Sequence, residues 1–295
     1  MKLTTAILVF LIAVGAIIIN RKTIEAAAFE QVAGYKSNLP SYVPKNYKLI
    51  WAEDFNDGTR PNPKYWNYST YANNVLWWHN ERQYYTDNNE KNARIQKGEL
   101  IIEAHNEKLD HAPGWVGQEF SSARLTTEGK KNFKYGFFDV RAKLTCAKGS
   151  WPAIWMMGEK PQSSWPKDGE IDIMEHVSFN PQTIYGSAHN EYSEKHGIKY
   201  TGSANIKNPC GEYHNYQIDW RPDYIAYLVD GNEYYRFSKS VSGDGTPADY
   251  QKWPFNHNFY LILNVAVGGA WGGQQGIDPS QYPGQMAVDY IHVYQ

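Results

Sequence analysis

The fold is decided by the stretch Tyr135-Gly136-Phe137-Phe138-Asp139-Val140-Arg141-Ala142-Lys143-Leu144. Successive side chains of a β-strand point to opposite faces of a sheet, so every second residue shares a face. One face of this stretch carries only the apolar residues Phe138, Val140, Ala142 and Leu144. We expect an antiparallel strand with one face buried and the other exposed to water.

Similar short runs, broken by Gly, Asn, Asp and Pro, fill the chain from about residue 47 to its end. Lys97-Gly98 predicts a hairpin turn between residues 94–95 and 100–104, because glycine adopts the positive φ that such turns require. Residues 217–237 predict a meander whose second turn is Asp230-Gly231-Asn232. Residues 259–267 are almost continuously apolar, which predicts an inner strand covered on both faces.

The pattern predicts one all-β domain over residues 47–295. No linker, internal repeat or low-complexity tract interrupts this range, and sandwiches of this length are routinely single domains. No segment of helical period and useful length follows the N-terminal apolar run. The expected architecture is a sandwich of antiparallel strands.

The N-terminus carries an export signature. An unbroken apolar stretch over residues 6–19 follows Lys2, and it is too short to span a hydrocarbon core of about 30 Å. Small residues follow at positions 26–28, so we predict a cleaved signal peptide over residues 1–28 and an unstructured lead-in over 29–46. The protein is then secreted and free of the membrane; a retained N-terminal anchor is the alternative.

Charge and aromatic content narrow the class of ligand. The net charge is −2 and becomes −4 once residues 1–28 are removed with their three basic residues and one acid, which argues against nucleic acid as a partner. The chain has 11 Trp and 23 Tyr, whose flat rings with polar tips suit neutral polar ligands. An aromatic sheet surface without a ligand is the alternative, because Tyr and Trp favour strands.

The two cysteines, Cys146 and Cys210, predict one disulfide in an exported protein. Two free buried thiols remain the alternative. No Cys-x-x-Cys spacing occurs, so zinc binding and thiol redox chemistry are not indicated.

Three carboxylates, Glu170, Asp172 and Glu175, fall within six residues of an otherwise apolar strand. Acids are depleted in strands, and like charges a few ångströms apart repel unless one keeps its proton. On a regular strand Glu170 and Asp172 share a face, whereas Glu175 points to the opposite side. A bulge around Ile173-Met174 would shift the alternation by one and bring all three into one cleft.

Two glutamates in one cleft are what glycosidic cleavage needs. One ionised carboxylate attacks the anomeric carbon and one protonated carboxyl protonates the leaving oxygen. Asp172 lies between them in the sequence and is placed to hydrogen-bond the nucleophile and separate the two titrations. An acidic outer face or a calcium site is the alternative, because closely spaced carboxylates also bind hard cations.

Glu170-Ile171-Asp172-Ile173-Met174-Glu175, preceded by Trp-Pro and Gly, resembles the signature of glycoside hydrolase family 16, in its laminarinase-like branch. Further blocks run in the family's order over residues 47–295. They are residues 80–86 (NERQYYT), 122–124 (SAR), 149–156 (GSWPAIWM), 186–189 (GSAH), 229–231 (VDG), 264–273 (NVAVGGAWGG) and 288–294 (VDYIHVY).

The resemblance implies a β-jelly-roll sandwich of two antiparallel sheets with an open substrate cleft on its concave face. It implies endo-hydrolysis of β-1,3-glucosidic bonds with retention of configuration, with Glu170 as nucleophile, Asp172 as its assistant and Glu175 as acid/base. Retaining enzymes hold the two carboxyl groups about 5–5.5 Å apart. No cofactor takes part in catalysis, and an open cleft needs no second subunit, so we expect a monomer.

The resemblance also implies substrate contacts and a metal site. Stacking on sugar rings or lining of the cleft is implied for Trp155, Trp165 and Trp271. Hydrogen bonds to sugar hydroxyls are implied for Asn80, Arg124 and His189. Structural roles are the alternative: Trp155 as core and His189 at a strand end. A structural calcium ion on the convex side is implied at Glu53, the Gly98 carbonyl and Asp289.

One segment departs from the family's pattern. Val75-Leu76-Trp77-Trp78-His79 stands where many relatives have a turn rich in Gly and Asn. The two tryptophans narrow or extend the subsites at the non-reducing end of the cleft, or they are purely structural. The preference between linkages is therefore open.

Two other activities compete with β-1,3-glucan hydrolysis. A mixed-linkage β-1,3-1,4-glucanase is the nearest enzyme, but the spacing Glu-x-Asp-x-x-Glu favours the laminarinase branch over relatives with Glu-x-Asp-x-Glu. A non-catalytic β-glucan recognition protein shares the fold but lacks one or both glutamates, and both are present here. Transglycosylation uses the same carboxylates.

Overall fold

The structure, a computed structural model, describes residues 39–77, 79–159, 165–239 and 251–295. The chain divides into two units, residues 1–49 and Ile50–Gln295. The described part of the first unit makes two turns, closed by backbone hydrogen bonds from Val43 to Pro40 and from Tyr47 to Pro44. The predicted signal peptide and the lead-in as far as residue 38 lie outside the described residues. No helix in the described part is long and apolar enough to cross a membrane.

The described residues form eighteen strands. In chain order they are β1 (Leu49–Glu53), β2 (Asn67–Tyr68), β3 (Gln83–Tyr85), β4 (Ala93–Gln96), β5 (Glu99–Asn106), β6 (Phe120–Ser122), β7 (Arg124–Thr126), β8 (Asn132–Phe133), β9 (Gly136–Lys143), β10 (Ser150–Gly158), β11 (Glu170–His176), β12 (Thr183–His189), β13 (Tyr200–Asn205), β14 (His214–Trp220), β15 (Tyr224–Val229), β16 (Asn232–Ser238), β17 (Phe259–Val267) and β18 (Gly284–Tyr294). A short helix, α1 (Glu191–His196), and two 3₁₀ turns at Asn73–Val75 and Pro279–Gln281 complete the elements.

The strands form two sheets. Sheet A has the order β16-β15-β14-β9-β18-β5-β6-β3, with β1 beside β18 and β4 beside β5. Sheet B has the order β13-β12-β11-β10-β17-β7-β2, with β8 beside β17. The ladders are antiparallel apart from β3 and β6, which run parallel.

One hydrophobic core joins the two sheets. It contains Phe138 and Val140 from sheet A together with Ile154 and Leu263 from sheet B, all fully buried. β17 lies in the middle of sheet B, and its nine residues are all buried, as the apolar run predicted. The predicted all-β jelly-roll sandwich is thereby confirmed.

The outer face of β9 is exposed to water only in its second half, where Arg141 and Lys143 are partly exposed, so that prediction was wrong for the first half. Phe137 and Asp139 are as buried as the apolar residues that alternate with them. β9 lies between β14 and β18, whose side chains flank these two residues. The buried Asp139 carboxylate accepts hydrogen bonds from Asn215 Nδ2 at 2.8 Å and Gln217 Nε2 at 3.0 Å. A buried carboxylate requires such donors, and here they come from the next strand.

The predicted turns are confirmed, but one helix was missed. Lys97 and Gly98 have φ values of 56° and 77°, and Asp230 and Gly231 have 50° and 77°, as tight two-residue hairpin turns require. The helix α1 follows Asn190, whose side chain accepts from the backbone of the third helical residue in a capping box. Its six residues are too few to show a hydrophobic period, so the sequence pattern did not predict it.

The disulfide between Cys146 and Cys210 is present, with Cα atoms 5.8 Å apart. Cys146 follows β9 and Cys210 precedes β14, which is the neighbour of β9 in sheet A. A backbone hydrogen bond from Leu144 to Pro209 of 2.9 Å lies beside it. The disulfide therefore joins two segments that the sheet already brings together.

We expect the double variant Cys146→Ser/Cys210→Ser to keep the fold but to lose stability. The crosslink spans 64 positions of the chain, and closing a loop of this length removes unfolded-state entropy equivalent to about 4 kcal/mol in the chain-entropy model. Guanidinium unfolding of the oxidised and variant proteins measures the difference. Equal free energies of unfolding would show that the disulfide does not constrain the unfolded chain.

Candidate active site

β11 contains one residue more than its neighbours can pair. On the β10 side, Trp155 pairs with Asp172, while the adjacent Ile154 pairs with Met174, so Ile173 has no partner. The register against β12 shifts in the same interval. This is the bulge that the spacing of the acids predicted, and the structure confirms it.

The bulge sets the direction of every acidic side chain in β11. Ile173 and Met174 are consecutive, yet both side chains lie in the core between the sheets. The alternation therefore resumes one residue late, and Glu175 lies on the same outer face of sheet B as Glu170 and Asp172. The carboxylates of Glu170 and Glu175 are partly exposed on this face, whereas Asp172 is buried between them.

Each glutamate is held by a tryptophan. Trp165 Nε1 donates a hydrogen bond of 2.6 Å to Glu170 Oε2, and Trp151 Nε1 donates one of 3.0 Å to Glu175 Oε1. Trp165 lies in the connection between β10 and β11 and is half exposed. An indole has one N–H donor and no acceptor, so each contact holds one oxygen of the carboxylate.

Asp172 lies against His189, the last residue of β12. The distance from His189 Nε2 to Asp172 Oδ2 is 3.0 Å, and the distance from His189 Nδ1 to Glu194 Oε1 is 2.8 Å. Both ring nitrogens are thus taken by carboxylates, one from the acidic strand and one from α1. The hydrogen bond predicted from His189 to a substrate hydroxyl would require one of these contacts to open.

Burial raises the pKa of all three acids. For Glu170 the rise is opposed by the charge of His189 and by a hydrogen bond from Asp172. For Asp172 burial and then the charge of Glu170 raise the pKa, and for Glu175 burial and then the charge of Asp172 raise it. Asp172 acts as the protonated partner in its hydrogen bond with Glu170. The arrangement can hold one ionised and one protonated glutamate at neutral pH.

The other predicted contacts with substrate lie on the same face of sheet B or beside it. Trp155 is partly exposed on β10, and its Nε1 donates to Asn264 Oδ1 at 2.7 Å. Trp271 is partly exposed and packs edge-on against Trp151, with ring centroids 5.4 Å apart. Asn80 is exposed in the loop that precedes β3. Their roles toward a substrate stay predictions.

Arg124 is almost fully enclosed. Its guanidinium lies 5.8, 5.0 and 5.1 Å from the ring centroids of Tyr71, Trp77 and Trp155, and its Nη1 donates to Ser69 at 2.6 Å. Only 4 % of the residue is exposed. Trp77 is itself buried, which favours a purely structural role for this tryptophan of segment 75–79. Trp78 lies outside the described residues.

The predicted calcium ligands fit the ion only in part. Glu53 is partly buried beside the further acids Asp54 and Asp57, which together with burial raise its pKa, and such a negative site favours a cation. Gly98 lies beside the segment that contains Glu53, because a Cβ added at Gly98 would be 3.1 Å from Asn56 Oδ1. The Asp289 carboxylate, however, is paired with Arg141. Calcium binding by this set stays a prediction.

Two clusters in the described part of the chain bring three possible metal ligands within 4.8 Å of one another. In Cys146, His176 and Cys210 both sulfurs belong to the disulfide. In Glu170, Asp172 and His189 the imidazole already contacts carboxylates through both nitrogens. Neither cluster indicates a metal centre.

Trp151, Glu194 and Asn264 belong to the site but were not predicted from the sequence. Trp151 lies four residues before Trp155 on β10, so the two-residue period already places it on the same face, and this signal was available. Glu194 and Asn264 come from other elements, and their contacts depend on tertiary structure.

The chain matches the model of the glycosyl hydrolases family 16 over residues 74–292. It is 42% identical over 254 residues to a beta-glucanase from Rhodothermus marinus, covering 85% of this chain and 86% of the relative. A solved structure of SCLam, a non-specific endo-beta-1,3(4)-glucanase of the family, superposes with a TM-score of 0.80 at 43% identity, over 88% of this chain and 94% of that one. A variant of SCLam, with 1,3-beta-D-cellobiosyl-glucose at its active site, gives a TM-score of 0.81 at 43% identity, over 86% and 96% of the two chains.

Replacing Trp151 by Phe should raise the pKa of Glu175 further, by about 0.5–1 unit. The indole N–H stabilises the ionised carboxylate, and losing such a hydrogen bond is worth about 1 kcal/mol. The Phe ring keeps most of the packing against Trp271. Carboxyl ¹³C NMR of Glu-labelled protein, with Glu175→Gln to assign the signal, measures the shift. An unchanged pKa would mean that the contact has no electrostatic effect.

Glu175→Gln should stabilise the fold at alkaline pH. The folded pKa of Glu175 is raised above its unfolded value, so ionisation destabilises the protein increasingly as pH rises from about 4 to the folded pKa. Each pKa unit corresponds to about 1.4 kcal/mol, and each kcal/mol to roughly 2–4 °C in Tm.

We therefore expect equal Tm values for wild type and Glu175→Gln near pH 4 and a higher Tm for the variant near pH 9. The introduced amide has nearly the same size as the carboxyl group and keeps an oxygen that accepts from Trp151. The variant therefore changes the charge at this position while packing and this hydrogen bond are retained. A Tm difference that does not depend on pH would contradict the electrostatic explanation.

Proposed function

The chain belongs to the glycosyl hydrolases family 16, and we propose that it hydrolyses internal β-1,3-glucosidic bonds of laminarin-type β-glucans with retention of configuration. The observation that carries the proposal is the bulged strand β11, which presents Glu170 and Glu175 on one face, each held by a tryptophan indole. A glycan with a scissile bond over this face meets both carboxyl groups.

In the first step a Glu170 oxygen attacks the anomeric carbon while the Glu175 proton passes to the leaving glycosidic oxygen. The glycosidic bond breaks, and a bond between the sugar and Glu170 forms. In the second step the Glu175 carboxylate takes a proton from water, the water oxygen attacks the anomeric carbon, and Glu170 is released as a carboxylate. Two inversions at one carbon return the original configuration.

The electrostatics of the face support these roles. Burial keeps Glu175 protonated at neutral pH, as a general acid must be. Glu170 receives hydrogen bonds from Trp165 and Asp172, and the positive charge of His189 favours its ionised form. A nucleophile with two donors is oriented toward the sugar and remains charged.

Aromatic rings beside the carboxylates support a neutral sugar polymer as substrate. Trp165 is half exposed, and Trp155 and Trp271 are partly exposed on the same side of sheet B. The faces of such rings stack on the apolar faces of pyranose rings without requiring charge. The net charge of −2 does not favour a polyanion as the polymer.

Mixed-linkage β-1,3-1,4-glucan is a second candidate substrate. The SCLam relative is named as a non-specific endo-beta-1,3(4)-glucanase, and one of its variants holds 1,3-beta-D-cellobiosyl-glucose at its active site. The bulged Glu-x-Asp-x-x-Glu spacing favours β-1,3-glucan as the preferred substrate here. Retention of both glutamates favours hydrolysis over glucan recognition alone.

Three further properties belong to the proposal. The apolar N-terminal run supports secretion, and the absence of any need for a second subunit at the site supports a monomer. Calcium at Glu53, the Gly98 carbonyl and Asp289 would act as a structural stabiliser on sheet A, whereas β11 belongs to sheet B, and no catalytic step involves it.

Reducing-sugar release from laminarin, barley mixed-linkage glucan and agarose tests the proposal. We expect the wild type to degrade laminarin fastest and agarose not at all, and Glu170→Ser to be inactive on all three because it lacks the nucleophile. Time-resolved ¹H NMR should show the β-anomer as the first product.

Each alternative has its own outcome. Faster release from barley glucan would assign mixed-linkage activity, and binding of laminarin without cleavage would assign a recognition protein. Products longer than the starting oligosaccharide would reveal transglycosylation. The α-anomer as first product would overturn the retaining mechanism.

A further inference from the structure

His189 lies between two carboxylates that come from different elements. On one side is Asp172 of β11, 3.0 Å from Nε2, and on the other is Glu194 of α1, 2.8 Å from Nδ1. His189 and Glu194 are each about one third exposed, whereas the Asp172 side chain is 3% exposed. The row Glu194–His189–Asp172 ends at Glu170, because Asp172 hydrogen-bonds Glu170.

The position of Glu194 is set by the anchoring of α1. Asn190 caps the helix by accepting from the Ser193 backbone N–H at 2.8 Å, and its Nδ2 donates to the Lys252 carbonyl at 3.0 Å. The backbone N–H of Tyr192 donates to the Gln251 carbonyl at 3.1 Å. These contacts fix the short helix to a neighbouring segment, so Glu194 is held where its carboxylate meets the imidazole.

The ionised Glu194 carboxylate on Nδ1 favours the charged form of the imidazole. Burial by itself lowers the pKa of His189, but hydrogen bonds to Asp172 and Glu194 outweigh it and bring the pKa well above its usual range. The same contact lowers the pKa of Glu194. An imidazolium carries an N–H on both nitrogens and has no acceptor.

The charge state of His189 decides where the proton of Asp172 can go. Beside an imidazolium, the protonated Asp172 has only Glu170 as an acceptor in this row. Beside a neutral imidazole with its proton on Nδ1, the Nε2 lone pair would compete for the Asp172 proton. Glu170 would then lose a hydrogen bond that favours its ionised form.

We propose that Glu194 is a positioning residue that keeps His189 in its imidazolium form and thereby directs the Asp172 proton onto the Glu170 carboxylate. Glu194 lies outside every sequence block that resembles the family. The inference rests on the proposed function, because it assigns the role of nucleophile to Glu170. It makes Glu194 a determinant of the pH above which Glu170 loses this support; on glucans that limit is masked by Glu175, which must keep its proton to act as the acid.

The other charged groups that face His189 are few in the described residues. Glu170 and Asp172 face it from β11, and Glu175 also feels its charge. His79, from the loop before β3, has a pKa lowered by burial and then by the His189 charge, and so is neutral beside it. Glu194 is therefore the carboxylate outside the acidic strand that balances the imidazolium.

Glu194→Gln tests the proposal, with Glu191→Gln as the matched control. The glutamine side chain introduced by Glu194→Gln can still accept the Nδ1 hydrogen bond through its oxygen, so the ring keeps its place while one charge is lost. Glu191→Gln removes an equal charge from the same helix without touching that contact. Both variants and the wild type are compared in kcat/KM between about pH 4 and pH 10 for a dinitrophenyl β-laminaribioside, whose leaving group departs without a proton, so that ionisation of Glu175 does not set the alkaline limb.

In Glu194→Gln we expect the alkaline limb of kcat/KM for this substrate to move down by about one pH unit and no more, because solvent screens a partly exposed pair. Below that limb His189 is charged in both proteins, so kcat/KM should stay within about twofold of wild type. Glu191→Gln should overlay the wild type. An unshifted Glu194→Gln profile, or an equal shift in Glu191→Gln, would overturn the proposal.

Histidine NMR separates this inference from the proposed function. Titration of ¹⁵N-His protein should show the His189 pKa about one unit lower in Glu194→Gln, whichever substrate the enzyme uses, with His189→Gln assigning the signal. Failure to hydrolyse any glucan would remove the proposed function but leave this shift measurable. An unchanged His189 pKa would contradict the inference even if laminarin is cleaved.

Discussion

The single unpaired residue in β11 is the constraint on which the site depends. Without it, Glu175 would enter the hydrophobic core and the site would have one glutamate instead of two. With it, Ile173 and Met174 both contribute to the core, and three acids share one face. The irregular ladder is tolerated because β11 lies between β10 and β12, whose regular pairing on either side of the bulge holds the strand in place.

Three acids on one face repel one another, and the surroundings respond by distributing protons and donors. Burial raises the pKa of Glu175 and Asp172, while indole N–H groups and one imidazolium stabilise the remaining charge. A cluster that would destabilise a purely structural strand becomes a set of acids in different protonation states. The same repulsion that weakens the fold at this point separates the protonation states that the proposed roles of the glutamates require.

Features governed by local rules were predictable from the sequence, and features governed by distant partners were not. The bulge followed from counting residues between the acids, and the turns at Lys97-Gly98 and Asp230-Gly231 followed from backbone preferences. The burial of Asp139 was missed because its donors come from β14, more than seventy residues away. Sequence period reports which residues share a face, but it does not report what covers that face.

The segment that departs from the family's pattern shows how such a limit affects function. Leu76 and Trp77 both adopt positive φ, near 55° and 51°, a conformation that is unfavourable for residues with a Cβ. The burial of Trp77 offsets this strain, since its ring packs on Tyr85 at 4.9 Å and its Nε1 donates to Asn73 Oδ1 at 3.0 Å. Its ring also lies against the Arg124 guanidinium. A buried ring cannot itself stack on a sugar. Any influence of Trp77 on a substrate would therefore pass through Arg124, whose side chain Trp77 holds in place beside Trp155.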